Sequence, residues 1–225
     1  MKSFLVFLTV ALSVLMQGVS AQGLPTQHRI LAEDGTPVAN FDLRPEMLAK
    51  LQGLAAQMPV GDLSGDVTLM QFYDLNCPYC RMAAHDIDAI LQEDKKLKLV
   101  FVPYAVLSLQ SVQGALIEVA ASKMLTPVQY LEFHRRLYAN RGTIDGQRAL
   151  AAAKDMGLDP QKVAAAGNTE ATLRLLQENA TVGGQANLVA TPAYVIGGVA
   201  IVGHPGRKAL EKVIADMRAC GKVAC

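Results

Sequence analysis

The segment Cys77-Pro78-Tyr79-Cys80 constrains this chain more than any other, because it separates two stretches of different periodicity. The residues before it, 67–73, form an apolar run typical of a buried strand. The residues after it have helical spacing, with one apolar face formed by Ala83, Ala84, Ile87, Ile90 and Leu91. A C-x-x-C motif at a strand-to-helix junction is the layout of a dithiol–disulfide redox centre.

The position of Cys77 at the start of this helix predicts that it is the reactive thiol of the pair. Unsatisfied backbone N–H groups and the positive end of the helix dipole stabilise a thiolate, so its pKa should fall below about 8.5. Pro78 suits the first helical position. Cys80 follows one turn later and is expected to be the more buried, resolving thiol. The alternatives are half of a zinc site and an inert pair of core cysteines.

The first residues of the chain predict export. Residues 1–21 comprise a positive charge, an apolar run and the small residues Val19-Ser20-Ala21, which together are typical of a cleaved signal peptide. The mature chain then begins at Gln22. An uncleaved membrane anchor is the alternative. All four cysteines of the chain lie in the mature part, and an even number suits a compartment that permits disulfides.

Composition and length limit the kinds of partner that the chain could bind and the number of domains that it could form. The net charge is +1, and the sequence has no basic stripe interleaved with aromatic residues, which argues against binding nucleic acid. The mature chain of about 200 residues is long enough for one domain with a substantial insertion.

Three segments of the chain can be distinguished by pattern. Residues 22–66 form an N-terminal extension, with a hairpin around Glu33-Asp34-Gly35, a helix over Arg44–Met58 and a turn-rich link from Pro59. Residues 67–225 begin with the strand, the C-x-x-C helix and a second strand over Leu97–Val102, a β-α-β unit. A helical insert follows over about residues 105–187. A hairpin around Gly197-Gly198 and a helix from Gly206 to Arg218 close the domain.

This order of elements resembles the α/β thioredoxin fold with the helical insertion of the DsbA-like periplasmic thiol:disulfide oxidoreductases. Residues 72–80 resemble the active-site segment of that family. Residues 190–195 resemble the loop that bears its cis-proline, with Thr191 and Pro192 presenting the substrate backbone.

The resemblance implies a periplasmic enzyme that forms, shuffles or reduces disulfides in exported proteins by thiol–disulfide exchange at Cys77 and Cys80. It implies a membrane redox partner that resets the active site, and it requires no cofactor or metal. The competing function is a thiol-based copper-binding or metal-resistance protein on the same fold.

Some features of the sequence are similar to the disulfide isomerases of this family and others to its oxidases. Pro78-Tyr79 between the cysteines, with Thr191 before the proline, is similar to the DsbG disulfide isomerases, whereas the long helical insert resembles the DsbA oxidases. Such isomerases are oligomers joined through an N-terminal extension. The helix over Arg44–Met58 is therefore expected either to pair with a second copy, giving a homo-oligomer, or to pack on its own domain.

Two residues near the motif are candidates for tuning the thiols. Family members often carry Glu at the position of Gln71, where a buried carboxylate assists proton transfer; Gln cannot ionise. Asp74 is nearer the cysteines and is a candidate substitute, with a solvated or capping aspartate as the alternative reading.

The second pair of cysteines, Cys220 and Cys225, lies at the end of the chain. The readings are a small structural disulfide, a second redox pair that relays electrons, and a soft-metal site. The four histidines form no ligand spacing with one another, and His85 is expected at the surface.

Overall fold

The computed structural model describes residues 26–139 and 141–225. The predicted signal peptide, 1–21, and the predicted mature start at Gln22 lie outside the described residues. Within the described ranges, no helix combines the length and apolar character that a membrane span requires.

A central mixed sheet of six strands organises the domain. The strands are β1 (Ala39–Asp42), β2 (Met58–Gly61), β3 (Val67–Tyr73), β4 (Leu97–Pro103), β5 (Ala193–Ile196) and β6 (Val199–Val202). Their order is β1-β6-β5-β3-β4-β2, in which only the β3–β4 pair is parallel. β3 is central and covered on both faces, which explains why its sequence is a nearly continuous apolar run.

The described part of the chain contains eight helices. They are α1 (Pro45–Gln52), α2 (Pro78–Glu93), α3 (Leu109–Ser122), α4 (Pro127–Ala139), α5 (Gly146–Asp155), α6 (Pro160–Gly167), α7 (Glu170–Gln185) and α8 (Arg207–Cys220). Helices α2, α4 and α8 pack on the face that carries Tyr73 and Tyr194, whereas α1 and α7 pack on the face that carries Phe72. The sheet is therefore the middle of three layers.

The predicted fold class is confirmed. The β3-α2-β4 unit, the block of helices α3 to α7 and the closing β5-β6-α8 unit together form a thioredoxin fold with a helical insertion. The predicted buried face of α2 is also confirmed at Ala83, Ile87, Ile90 and Leu91, while Ala84 is only partly buried.

The N-terminal segment differs from its prediction in two places, the end of the first helix and the start of the turn-rich link predicted from Pro59. The predicted helix over Arg44–Met58 is wrong in its second half, because α1 ends at Gln52 and is followed by Gly53. Met58 instead begins β2, which pairs with β4 at the edge of the sheet, where the missing N–H of Pro59 is tolerated. The predicted hairpin is present as an antiparallel bridge between Leu31 and Pro37.

This segment supplies both edge strands of the sheet. β1 pairs with β6 at one edge and β2 pairs with β4 at the other. On α1, Met47 and Leu51 are buried against the sheet face that carries Phe72. Residues of the predicted extension therefore belong to the same packed core as the strands that carry the cysteines.

Candidate active site

The C-x-x-C motif lies where the central strand passes into α2. Cys77 is the N-cap residue of α2 and keeps an extended backbone, and Pro78 occupies the first helical position. The backbone N–H of Cys77 donates to the carbonyl of Asp74 at 3.1 Å, which fixes the turn before the helix. Cys80 faces the core one turn further along.

The loop before β5 lies against the first cysteine. Both thiols are free, with Cys77 5% exposed and Cys80 1% exposed. Cys77 Sγ lies 3.0 Å from the backbone carbonyl oxygen of Thr191, to which it donates a hydrogen bond when it is protonated. The Thr191–Pro192 peptide bond is cis. The fold thus brings together the four predicted positions Cys77, Cys80, Thr191 and Pro192, although more than a hundred residues separate the two segments.

The pKa values of the two cysteines are shifted in opposite directions. The pKa of Cys77 is lowered to about 6, chiefly because the Cys80 thiol donates a hydrogen bond to its sulfur; Thr191 and the backbone N–H groups of Tyr79 and Cys80 add to this, and burial opposes it. The pKa of Cys80 is raised far above its ordinary value, first by burial and then by its hydrogen bond to Cys77. At neutral pH the pair therefore holds one thiolate, on Cys77, and one thiol, on Cys80.

Several apolar side chains on the segments next to Cys77 in the fold are exposed. They come from α2, from the loop that follows β4 together with the first residue of α3, and from the loop before Pro192. We call this set the apolar rim: Tyr79, Met82, Val106, Leu107, Leu109 and Val189.

Asp74 is an anchor for two loops. Its side chain is 1% exposed and accepts four hydrogen bonds, two of them from the backbone N–H groups of Val106 and Leu107 at 2.9 and 3.0 Å. The other two come from the backbone of Asn76 at 2.8 Å and the hydroxyl of Ser111 at 2.6 Å. These contacts connect the active-site turn to the start of the helical insert. Asp74 is therefore not solvated, and it accepts from backbone N–H groups as the capping reading expects; its role in proton transfer stays a prediction.

Gln71 lies inside the sheet near the motif. It is 2% exposed and is paired in register with Tyr194 on β5 and Phe101 on β4. Its side-chain oxygen, Oε1, is buried and has no hydrogen-bond partner among the described residues. This position therefore offers a buried polar group that cannot ionise.

Sequence reasoning missed a hydrogen-bonded chain near the motif. Tyr194 Oη lies 2.8 Å from His204 Nδ1, and His204 Nε2 lies 2.8 Å from Asp86 Oδ2. No sequence signal joins these three residues, since Asp86 and His204 are 118 positions apart. His85, the neighbour of Asp86, is exposed as predicted.

A second buried polar network was also missed. On α3, Glu118 is fully buried and accepts hydrogen bonds from Tyr130 at 3.0 Å and from His134 at 2.8 Å. The hydroxyl of Tyr130 lies 3.2 Å from that of Tyr73, the last residue of β3. This network ties the helical insert to the strand that leads into the motif.

The second cysteine pair forms a disulfide remote from the first. Cys220 and Cys225 are bonded, with their Cα atoms 6.4 Å apart, and both residues are exposed. Cys220 ends α8, a helix of 14 residues whose first turn is close to the loop of Pro192. That helix is about 20 Å long, and the disulfide lies at the end away from the loop of Pro192.

Metal binding is a separate question from thiol chemistry. Across residues 26–139 and 141–225, no group of three or more His, Cys, Asp or Glu side chains is arranged to hold a metal ion.

The fold and the paired thiols define a class of protein, the thiol–disulfide oxidoreductases of the thioredoxin fold. The chain belongs to the thioredoxin family, since the thioredoxin family model matches residues 54–216. No curated protein matches the chain significantly.

Solved structures share this fold at low sequence identity. A thioredoxin-like oxidoreductase from Silicibacter pomeroyi DSS-3 is 23% identical with a TM-score of 0.69, covering 76% of this chain and 97% of its own. The thiol-disulfide exchange protein alpha-DsbA2 from Wolbachia pipientis is 19% identical with a TM-score of 0.69, covering 76% of this chain and 92% of its own. A periplasmic thioredoxin-like protein from Salmonella enterica serovar Typhimurium is 24% identical with a TM-score of 0.68, covering 80% of this chain and 99% of its own.

Proposed function

We propose that this chain is an exported protein that oxidises or shuffles disulfides in other exported proteins, with Cys77 as nucleophile and Cys80 as resolving thiol. The observation that carries this proposal is the free Cys77–Cys80 pair at the start of α2, which lies against the cis-proline loop. The opposite shift of the two thiol pKa values supports it. An inert pair of core cysteines would have both pKa values raised by burial.

Exchange proceeds through a mixed disulfide. In the oxidising direction, a substrate thiolate attacks the Cys77 sulfur of the Cys77–Cys80 disulfide, and Cys80 leaves as a thiolate that is protonated. A second substrate thiolate then attacks the substrate sulfur, and Cys77 leaves with its electron pair. In the reverse direction, the Cys77 thiolate attacks a substrate disulfide, and Cys80 resolves the mixed disulfide.

The lowered pKa of Cys77 supports an oxidising role. A pKa of about 6 leaves about nine-tenths of the Cys77 sulfur ionised at pH 7. This value lies between about 7 for thioredoxin and about 3.5 for DsbA. Because a stabilised thiolate favours the reduced form, we expect a reduction potential between about −270 and −120 mV.

The apolar rim supports polypeptide substrates. Unfolded chains expose apolar side chains, and a surface of this kind around the nucleophile binds them without reading a particular sequence. The backbone carbonyl of Thr191, whose oxygen lies 3.0 Å from Cys77 Sγ, is next to the nucleophile and supports pairing with the backbone of a bound peptide.

Location and partners complete the proposal. The predicted signal peptide and the C-terminal disulfide support a periplasmic location. An oxidant in the membrane then resets the reduced pair. The placement of β1 and β2 in the sheet supports packing of the N-terminal segment on its own domain, so we favour the oxidase reading; homo-oligomer formation stays a prediction.

Thiol–disulfide exchange also accounts for the thiols better than copper binding does. Only two free thiols are present in the described residues, and the remaining two cysteines are bonded to each other. The family and fold favour the redox reading.

A site-resolved redox titration tests this function. The protein from Gln22 to Cys225 is equilibrated in glutathione buffers, and free thiols are trapped and counted by mass spectrometry. We expect Cys77 and Cys80 to titrate together within the range given above, while Cys220 and Cys225 stay oxidised. A Cys77 thiol that neither titrates nor forms a mixed disulfide contradicts the proposal.

A further inference from the structure

A loop of the helical insert lies directly beside the active-site turn. This loop, residues 141–144 between α4 and α5, is tied to Asn76, the residue before Cys77. The side chain of Asn76 accepts a hydrogen bond from the backbone N–H of Ile144 at 2.7 Å and donates one to the Ile144 carbonyl at 3.0 Å. Because Asn76 and Cys77 are consecutive, this pair of hydrogen bonds fixes the loop next to the nucleophile.

The active-site helix contacts the same loop through Arg81. The backbone N–H of Arg81 donates to the Cys77 carbonyl at 3.1 Å, so this residue belongs to the first turns of α2. Its guanidinium donates to the backbone carbonyl of Tyr138 and to that of Gly142, the latter at 3.3 Å. The Cζ atom of Arg81 also lies 5.4 Å from the centre of the Tyr138 ring. These contacts hold a positive charge at a defined position beside the motif.

A second arginine packs against the loop. Arg148, an exposed residue of α5, donates to the backbone carbonyl of Arg141, and a Cβ placed at Gly142 would lie 3.3 Å from Arg148 Nη1. Arg141 is itself exposed, and neither it nor Arg148 forms a salt bridge within the described ranges. The acidic residue of this segment, Asp145, caps α5 by accepting from the backbone N–H of Arg148 at 2.9 Å. The loop therefore carries an excess of positive charge.

A cavity of about 560 Å³ opens between this loop and α2. Its lining includes residues on both sides of Cys77, two basic residues of α2 and part of the loop: Asn76, Pro78, Arg81, His85, Gly142 and Thr143. Of the described residues that line it, none is acidic. The whole chain has a net charge of only +1, so this concentration of basic groups is local. We call the four basic residues in and beside the cavity the basic site: Arg81, His85, Arg141 and Arg148.

We propose that the basic site binds a carboxylate of the substrate polypeptide, so that cysteines flanked by Asp or Glu react faster. This inference rests on the proposed function and specifies its substrate class. A guanidinium matches the geometry of a carboxylate and keeps its charge throughout the physiological pH range. Met82 belongs to the apolar rim and also lines the cavity, so the two surfaces are continuous. One bound segment can therefore place apolar side chains on the rim and an acidic side chain in the cavity.

The test compares three peptides that differ only in charge. Each carries two cysteines flanked by Glu, by Gln or by Lys, and is mixed in reduced form with the protein in its Cys77–Cys80 disulfide form. Formation of reduced protein is followed by acid quenching and mass spectrometry. Each rate is divided by the rate of the same peptide with bis(2-hydroxyethyl) disulfide, a neutral reagent, because flanking charge also changes the reactivity of the peptide thiols.

The wild-type protein should show a preference set by charge. We expect the normalised rate of the Glu peptide to be about tenfold that of the Gln peptide, at the low end of electrostatic steering, and the Lys peptide to be slowest. The preference should shrink as salt is raised from about 0.01 M to about 1 M, because the screening length falls from about 30 Å to about 3 Å. Apolar contacts with the rim do not produce this salt dependence.

Exposed positions allow the basic site to be altered without changing the active-site turn. Arg141→Gln together with Arg148→Gln should reduce the Glu-to-Gln ratio to about two- to threefold, since each exposed charge changes the rate about twofold. Arg148→Lys keeps the charge and should keep most of the preference. Arg174→Gln removes an exposed arginine of α7 and is the matched control, which should keep the full preference.

The outcomes distinguish the basic site from the proposed function. Equal normalised rates for the three peptides overturn the basic site, and so does a Glu-to-Gln ratio that joint replacement of Arg141 and Arg148 leaves unchanged. In both cases the proposed function stands, because the peptides are still oxidised. A disulfide form of the protein that oxidises none of the peptides overturns the proposed function, and the basic site with it.

Discussion

Replacing Cys80 by alanine should raise the pKa of Cys77. The hydrogen bond donated by Cys80 is the largest contribution to the lowered Cys77 pKa of about 6. A hydrogen bond to a charged group contributes about 1.5–3 kcal/mol. At about 1.4 kcal/mol per pKa unit, its loss raises the pKa by about one to two units, to about 7–8. The expected result is a Cys77 that is about half to nine-tenths thiol at pH 7, instead of about one-tenth.

The measurement is the rate of Cys77 alkylation by iodoacetamide as a function of pH, read by mass spectrometry. Cys220 and Cys225 form a disulfide, so Cys77 is the one thiol that titrates in this variant. Cys80→Ser is the matched control, since its hydroxyl still donates and should keep most of the shift. If Cys80→Ala retains a Cys77 pKa near 6, the helix N-terminus and not the second thiol stabilises the thiolate, and the reasoning fails.

Three other predictions concern the Cys77 thiolate, the hydrogen bonds of Asp74 and the C-terminal disulfide. Because the Cys77 pKa is lowered in the folded reduced protein, the thiolate stabilises that protein fully above about pH 8.5, and this stabilisation is lost as the pH falls through about 6. The reduction potential, measured against glutathione, should therefore fall by about 59 mV per pH unit below about pH 6 and by about 30 mV per pH unit above it. A single slope throughout would exclude a thiolate. Asp74→Ala should lower the free energy of unfolding in urea by about 3 kcal/mol, since four donors lose their acceptor, whereas Asp88→Ala, at a partly exposed ion pair, should cost about 1 kcal/mol or less. Equal losses would contradict the anchor role of Asp74. Joint replacement of Cys220 and Cys225 by serine should cost about 2 kcal/mol, because the closed loop is short, and should leave the glutathione exchange rate at Cys77 unchanged; a slower rate would couple the two pairs.

The sequence predicted correctly those structural features that depend on a few consecutive residues. The strand-to-helix change at Cys77, the proline at the first helical position and the glycine pair between β5 and β6 are each carried by a few consecutive residues. Such signals were sufficient for the fold class and for the two thiols. β2 was missed because its four residues include Pro59 and Gly61, which are typical of a turn, and only pairing with β4 makes them a strand.

The surroundings of the thiols depend on contacts between distant parts of the chain. Asp74 was a candidate for proton transfer because it is near the motif in sequence. Its hydrogen bonds to Ser111 and to the backbone of the loop after β4, more than thirty residues away, are visible only in the folded chain. His204 was set aside because it forms no ligand spacing with the other histidines. Its partners, Asp86 and Tyr194, are known only once α2 and β5 are packed together.

The two cysteine pairs lie at opposite ends of the sheet. β3 ends at the motif, and the loop of Pro192 and His204 lies at the same end. At the other end, the turn at Gly197 packs against Met217, one turn before Cys220. Thiol–disulfide exchange requires contact between sulfur atoms, whereas the two pairs lie at opposite ends of the sheet, and α8, about 20 Å long, leads from one end to the other. Electrons cannot pass directly between them within one rigid chain, so a redox role for Cys220–Cys225 would require a second protein to carry them, and a structural disulfide is the simpler reading.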